Sequence, residues 1–174
     1  MLLGAAASGA VCLMLALATR RRHDPVSWFA WWGLLWAVIV IGLVTLVPAE
    51  GAPGIVSSDG RLTHCSRDIG GPAPEGFWIF DGGQRMLNTA LFVPAGTLWV
   101  LAVARSWRGA LLAPLGLAGL ALYSAVIEKT QLEVARIDRA CDYTDVIDNV
   151  TGAAIGALVG VGLALVLLPW RARP

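Results

Sequence analysis

Charged residues are scarce in this chain, and histidine and cysteine are scarcer still. Only 14% of the 174 residues are Asp, Glu, Lys or Arg, whereas 57% are hydrophobic and the mean hydropathy is +0.69. A chain with so little charge is not an ordinary soluble domain. The two histidines and three cysteines have no zinc-ligand spacing, so no metal site of that kind and no cofactor are predicted. The net charge of +1 gives no indication of nucleic-acid binding.

Long apolar stretches are what the chain does have. Crossing ~30 Å of hydrocarbon takes about 20 residues of helix, and five stretches reach or approach that length: 2–19, 28–47, 87–104, 110–127 and 146–168. The third and fourth contain Pro94 and Pro114, which membrane helices tolerate as kinks. We therefore predict an all-α, polytopic membrane bundle of about five transmembrane helices, with the lipid bilayer as its first partner.

The basic residues predict an orientation. The first apolar stretch has no basic residues before it, and Arg20, Arg21 and Arg22 follow it, as in a signal anchor and unlike a signal peptide. Short segments that would share the cytoplasmic side hold seven of the thirteen Lys and Arg residues. The N-terminus is predicted outside and the C-terminus in the cytoplasm. Residues 1–27 would form the anchor and its basic turn, and residues 28–170 a membrane domain with a long extracytoplasmic loop, 48–86.

That loop and two cysteines raise structural questions. The loop is rich in Gly, Pro and Ser, and its length is unusual for a connection in a compact domain. It either dips into the outer headgroup layer or forms a lid over a site. Cys65 in the loop and Cys141 before the last helix both fall on the outer side, where disulfides form. They are candidates for a disulfide, although spacing alone does not show whether they approach closely enough.

Polar residues gather at the outer ends of three predicted helices. On the last helix, polar and then small residues recur at intervals of three and four, which places them in one stripe along a face of the helix. The stripe begins with acidic residues and ends with glycines: Asp142, Asp145, Asn149, Gly152 and Gly156. The two glycines would allow close helix packing. Ser124, Glu128 and Gln131 share a face of the fourth helix, and Arg85 and Asn88 lie at the start of the third. The predicted cluster contains Asn88, Glu128, Gln131, Arg139, Asp142, Asp145 and Asn149.

These blocks, in order, resemble the VanZ-like family, which is named for a teicoplanin-resistance protein. The resemblance covers the run from Asn88 to Gly96, then Ser124, Glu128 and Gln131, then Arg139 through Gly156. It implies that the family's shared polar positions are the seven residues of the cluster. The chain departs at Asp148, where the family usually has an apolar residue, and at Val150-Thr151. The resemblance further implies a bacterial cell membrane location and a link to glycopeptide susceptibility, without a settled reaction.

Three interpretations of the cluster remain open at this point. It could be a structural brace in which arginines neutralise the acids. It could bind a glycopeptide, a lipid headgroup or a cell-wall precursor, directly or through a divalent cation. It could be a membrane-embedded enzyme acting on an outer-leaflet lipid or wall precursor, with Glu128 or Asp145 as general base and Arg139 stabilising an anion. Ser124 is a conceivable nucleophile, although no base is evident beside it. A transporter is disfavoured because the polarity lies at one end of the spans.

Overall fold

The structure is a computed structural model that describes residues 1–20, 24–47, 64–65, 83–104, 109, 111–133 and 141–167. Within those ranges the regular structure consists of five α-helices and no strand. The helices are α1 (Leu2–Thr19), α2 (Pro25–Leu46), α3 (Gly83–Val103), α4 (Ala113–Glu133) and α5 (Tyr143–Leu167).

Four of these helices are long and apolar enough to cross a membrane: α1, α2, α3 from Arg85 onward, and α5. The exception is α4, because its last turns carry Glu128, Lys129 and Glu133. The predicted all-α membrane bundle is confirmed. The orientation of the termini stays a prediction.

Several helix boundaries differ from the predicted apolar stretches. Helix α2 begins at Pro25 instead of Trp28, because the side chain of Asp24 accepts a hydrogen bond from Ser27 N at 2.9 Å and proline occupies the first position. Helix α4 continues six residues beyond Ile127, to Glu133. Hydropathy predicts only the part of a helix that contacts lipid. Whether the helix continues into its polar residues depends on hydrogen-bonding partners, and hydropathy does not report these.

Helix α3 is the centre of the bundle and contacts α2, α4 and, most extensively, α5. The buried residues between these helices include Phe92 and Ala95 of α3, Ile127 of α4 and Ala153 of α5. Helix α1 lies against α2, where the indole N–H groups of Trp28 and Trp36 donate to carbonyl oxygens of α1. The bundle therefore has a tightly packed core with α1 on its periphery.

One end of the bundle is polar. The C-terminal ends of α2 and α4 meet the N-terminal ends of α3 and α5 there, as three long-range contacts show: Gln131 with Thr45, Arg85 with Asp148, and Asn149 with Ser124. We call this region the polar end. Most of the residues singled out in the sequence lie there.

Candidate functional site

A disulfide closes the rim of the polar end. Cys65 is bonded to Cys141, with a Cα–Cα distance of 4.6 Å and a sequence separation of 76. Cys141 is buried and stands two residues before α5. The bond therefore fixes one point of the long connection beside the start of α5. Residues 48–63 and 66–82 of that loop, and with them the proposed lid, lie outside the described residues.

Asp142 joins the start of α5 to α4. Its carboxylate Oδ1 accepts from Thr144 N at 2.8 Å, and its backbone N–H donates to Oε2 of Glu128 at 3.1 Å. Its carbonyl oxygen accepts from Asp145 N at 3.2 Å. A carboxylate in this place satisfies a backbone donor of the first turn that has no partner within the helix. Glu128 is 5% exposed, so its carboxylate is held inside the protein near the helix start.

One turn deeper, α5 and α4 are joined by side chains. Asn149 Nδ2 donates to Ser124 Oγ at 2.9 Å, and both residues are buried. The two helices run antiparallel, and residues four apart along a helix share a face. Asp145, one turn before Asn149, therefore lies at the level of Glu128, one turn after Ser124.

Gln131 extends this α4 face towards α2. Its Nε2 donates to the backbone oxygen of Thr45 at 2.9 Å. A carbonyl oxygen only accepts, so this contact fixes which end of the amide faces Thr45 and turns Oε1 away from it. Among the described residues, Gln131 Oε1, Asn149 Oδ1 and, on α3, Thr89 Oγ1 are buried and have no hydrogen-bond partner. Buried polar atoms nearly always have one, so these oxygens require an explanation, and the two amide oxygens lie on the α4 side of α5.

The other face of α5 carries a buried ion pair that the sequence analysis did not find. Arg85 of α3 holds Asp148 with two hydrogen bonds, Nε to Oδ2 at 2.8 Å and Nη2 to Oδ1 at 2.9 Å. The carboxylate is completely buried, and the Arg85 side chain is 12% exposed. Bidentate pairing of this geometry is the strong form of an arginine–carboxylate contact. The position at which the chain departs from the VanZ-like pattern thus forms its own interhelical bond.

Below this pair runs a seam of close backbone contact between α3 and α5. A Cβ added to Gly152 would overlap the carbonyl oxygen of Thr89, and one added to Gly156 would overlap that of Val93. Thr97 Oγ1 donates to the backbone oxygen of Gly156 at 2.9 Å. The residue offset of 63 in the ion pair recurs in the two glycine contacts, which shows that α3 and α5 run parallel. We call the row from Arg85 and Asp148 down to Gly160 the glycine seam.

The predicted cluster is therefore divided by the fold. Glu128, Gln131, Asp142 and Asn149 are brought together on the α4 side of α5, and Asp145 lies on the same side by spacing. Asn88 is half-buried at the start of α3, and Arg139 lies outside the described residues. The four-residue spacing from Asp148 through Gly152, Gly156 and Gly160, matched by Arg85, Thr89, Val93 and Thr97, was the signal that could have revealed the ion pair.

Metal ligands do not assemble in this part of the chain. In the ranges that the structure describes, no three His, Cys, Asp or Glu side chains are placed so that they could hold a metal ion. The ion pair at the exposed end of α4, Lys129 with Glu133 at 3.7 Å, is an ordinary surface contact of residues four apart. The described part of the polar end offers buried carboxylate, amide and hydroxyl oxygens, which form hydrogen bonds.

The helices and their polar end define a polytopic helical membrane protein with a hydrogen-bonding site at one end of its spans. A family model described as VanZ/LLP1 matches residues 10–166, nearly the whole chain. The chain belongs to the VanZ/LLP1 family, as its motifs predicted. Neither a curated protein nor a solved structure matches it.

Proposed function

We propose that this protein lies in the bacterial cell membrane with its polar end on the extracytoplasmic side, and that this end binds a polar group of a cell-envelope component. Binding there modulates susceptibility to glycopeptide antibiotics of the teicoplanin kind. Membership of the VanZ/LLP1 family supports the link to resistance, since the family is named for a teicoplanin-resistance protein.

The orientation is supported by the disulfide at the polar end. Disulfides persist in oxidising compartments and are rare in the cytosol, so the Cys65–Cys141 bond favours an extracytoplasmic polar end. The distribution of basic residues favours the same orientation independently, because it assigns the opposite ends of the helices to the cytoplasm. The N-terminus then lies outside and the C-terminus inside.

The observation that carries the binding function is the pair of buried amide oxygens, Gln131 Oε1 and Asn149 Oδ1. Each belongs to an amide whose N–H group is already bonded to the protein. A face that served only to hold helices together would gain from bonding these oxygens as well, because an unbonded buried acceptor costs about 1–3 kcal/mol. Their free lone pairs next to the carboxylate of Glu128 support a face shaped for a ligand.

Catalysis receives less support than binding. Ser124, the conceivable nucleophile, is fully buried, and its Oγ accepts from the amide of Asn149. An amide N–H cannot remove the hydroxyl proton, so this contact does not activate the serine. Glu128 is available as a general base only to a substrate that enters the same face, and binding is a precondition for that reaction.

The test compares variants of α4 in a teicoplanin-susceptible bacterium that expresses the full chain. Glu128→Gln and Gln131→Met remove a charge and an acceptor from the site. Glu133→Gln is the matched control, because it neutralises a carboxylate five residues along the same helix that is 65% exposed. We expect the two site variants to return the minimum inhibitory concentration to that of cells without the protein, at wild-type abundance in the membrane. The control should behave as wild type.

An unchanged inhibitory concentration in both site variants would contradict the proposal. So would equal loss in the Glu133→Gln control, because that side chain lies away from the site. Immunoblots of the membrane fraction separate a lost function from a lost protein.

A further inference from the structure

We propose that a groove between α1 and α2 holds one acyl chain of an anionic phospholipid, with the phosphate of that lipid beside Arg20. Arg20 follows the last residue of α1, and α2 begins at Pro25, whereas the polar end contains the last turn of α2 with Thr45. The lipid is therefore bound at the end of the bundle opposite the polar end, on a different pair of helices.

The groove is an open space between two neighbouring helices. Its volume is about 350 Å³, whereas one water molecule needs about 10–15 Å³ of such space. Helix α1 lines it with the small residues Gly9, Cys12 and Ala16, and α2 lines it with Phe29 and Trp32, among others. Voids larger than a water molecule are few in close-packed proteins, so a space of this size calls for an occupant.

Two tryptophans of α2 reach across to α1 at the two ends of the groove. Trp28 Nε1 donates to the backbone oxygen of Ala16, and Trp36 Nε1 donates to that of Ala5, both at 2.9 Å. The two indoles are eight residues apart, or about 12 Å along α2. Because an indole is among the bulkiest side chains, these bonds hold the two backbones apart and leave the space between them.

The lining of the groove selects an apolar occupant. None of the residues that line it is acidic or basic, and the indole N–H of Trp36 is already bonded to α1. A cavity of that kind stays dry and takes apolar ligands. Leu13 and Trp36 also line the groove and are 55% and 41% exposed, so it opens on the outer surface of two candidate membrane spans. The apolar molecule that meets such a surface is an acyl chain of the bilayer.

A helix of a second copy fits the groove less well than an acyl chain. The groove extends from Gly9 to Ala16 of α1, which is about 10 Å, or two helical turns. A helix is about 10 Å wide with its side chains and continues beyond two turns, so it would meet the indoles of Trp28 and Trp36 at the ends. A single flexible chain of methylene groups can bend into the space between them.

Arg20 provides a positive charge at one mouth of the groove. It lies one turn after Ala16 on the same face of α1, and its guanidinium carbon is 5.8 Å from the centre of the Phe29 ring. The carboxylate of Asp24 accepts from Ser27 N at the start of α2. A guanidinium can bind a phosphate through two hydrogen bonds. A headgroup without an amine keeps its full negative charge, so an anionic lipid is favoured over a zwitterionic one.

Two lipids with identical acyl chains provide the test. The full-length wild-type protein, purified in detergent, is titrated by native mass spectrometry with phosphatidylglycerol and with phosphatidylcholine. We expect phosphatidylglycerol to bind about fivefold more tightly, which is the effect of about 1 kcal/mol for one arginine near a charged headgroup. Equal affinities of the two lipids would overturn the proposal.

A charge variant tests the position of the headgroup. Arg20→Gln should lower the affinity for phosphatidylglycerol to that for phosphatidylcholine and leave the latter unchanged. Lys129→Gln is the matched control, because it removes a cation that is 74% exposed at the polar end, and it should keep the preference. A preference that survives in Arg20→Gln would show that the phosphate lies elsewhere.

A variant that fills the groove tests the position of the acyl chain. Cys12→Phe should weaken both lipids equally, by about fivefold, because it occupies the space without changing any charge. Ala10→Phe is the control, since Ala10 is exposed and lies about 200° around α1 from Cys12. Unchanged lipid binding by a folded Cys12→Phe variant, as judged by circular dichroism, would contradict the assigned groove.

The native thiol in the groove gives a readout that needs no variant. The chain has three cysteines and two of them form the disulfide, so Cys12 is the single free thiol. Saturating phosphatidylglycerol should slow its labelling by N-ethylmaleimide about fivefold in the wild-type protein. An unchanged labelling rate would overturn the proposal. So would a dimer in the native mass spectrum that forms as lipid is released, because a second copy would then occupy the groove.

Discussion

The two faces of α5 carry similar polar residues, but these residues are bonded differently. Towards α3, Asp148 is bonded at both oxygens to Arg85, and the glycines below it bring two backbones into contact. Towards α4, Asn149 is bonded on one side only, and the oxygen of its amide has no partner among the described residues. The first face is closed by an ion pair and by backbone contact, although Thr89 Oγ1 there has no hydrogen-bond partner among the described residues. The second face has neither an ion pair nor a backbone contact of that kind among the described residues, and it keeps two unbonded amide oxygens.

This difference separates two interpretations that the sequence left mixed together. The glycine seam and its ion pair join α3 to α5 through residues outside the predicted cluster, whereas Glu128, Gln131, Asp142 and Asn149 of the cluster join α4 to α5 and to α2. The predicted cluster lies mainly on the face that keeps unused acceptors. Variants of the seam should therefore lower stability, whereas variants of the α4 face should change antibiotic susceptibility at nearly constant stability.

Breaking the ion pair should have the largest effect. Arg85→Met leaves the fully buried Asp148 carboxylate without its partner, which we expect to cost about 3–5 kcal/mol of unfolding free energy. The double variant Arg85→Met with Asp148→Leu should recover most of that loss, because both charges are removed together. Unfolding of the purified protein in detergent, followed by circular dichroism, measures both. A single variant as stable as the wild type would contradict the assigned role of the pair.

Adding a methyl group within the glycine seam should have the second largest effect on stability. Gly156→Ala places a Cβ against the Val93 carbonyl oxygen, and backbone cannot yield as a flexible side chain can. We expect a loss of about 3 kcal/mol, at the upper end of the usual cost of overpacking. Gly162→Ala on the same helix is the control, since a Cβ there meets nothing within 4 Å. Equal stability of the two variants would show that α3 and α5 do not approach as closely as described.

Removing the disulfide should have a moderate effect. Cys141→Ala frees the long connection from α5, and we expect a loss of about 2 kcal/mol, at the low end for disulfides because the inserted helices already restrict the unfolded chain. Dithiothreitol should lower the thermal midpoint of the wild type to that of the variant and leave the variant unchanged. Insensitivity of the wild type to the reductant, despite complete reduction shown by thiol labelling, would argue against this contribution.

The α4 face should show the smallest effect on stability. Gln131→Met loses one hydrogen bond to the Thr45 oxygen but also stops burying an unused acceptor, so the net change should stay within about 1 kcal/mol. The same variant should abolish the effect on teicoplanin susceptibility. Destabilisation as large as that of Arg85→Met would mean that the two faces of α5 do not differ in the way described.

The sequence was sufficient for the class of fold and for the residues that gather at one end. Apolar length and composition predicted a helical membrane bundle, and the bounds of α1 agree with the prediction at both ends. The Cys65–Cys141 disulfide was predicted only as a possibility, because no local pattern reports whether two residues 76 positions apart come within bonding distance. The predicted apolar stretch 110–127 stops short of the end of α4 at Glu133, although the shared face of Ser124, Glu128 and Gln131 already placed the next turn on that helix.

The rotation of α5 about its own axis shows most clearly what the sequence could not predict. Its stripe was predicted from intervals of three and four residues, which placed Asn149 with Gly152 and Gly156 on one face. In the structure, intervals of four align Asp148 with those glycines and turn Asn149 towards Ser124. Adjacent residues are only about 100° apart around a helix, so the crossing geometry with the neighbours decides between them. The pairing of Arg85 with Asp148, across 63 residues, depends on that same geometry.

The ion pair also leads to an expectation about the depth of the protein in the bilayer. From Arg85 to Val103 the span contains 19 residues, or about 28 Å of helix, which is close to one hydrocarbon thickness. From Asp148 to Leu167, α5 has a similar length below the same point. Because charges resist entry into hydrocarbon, we expect the pair to lie near the membrane surface on both helices at once. A thinner or thicker bilayer would therefore be met by tilting α3 and α5 together, as one unit.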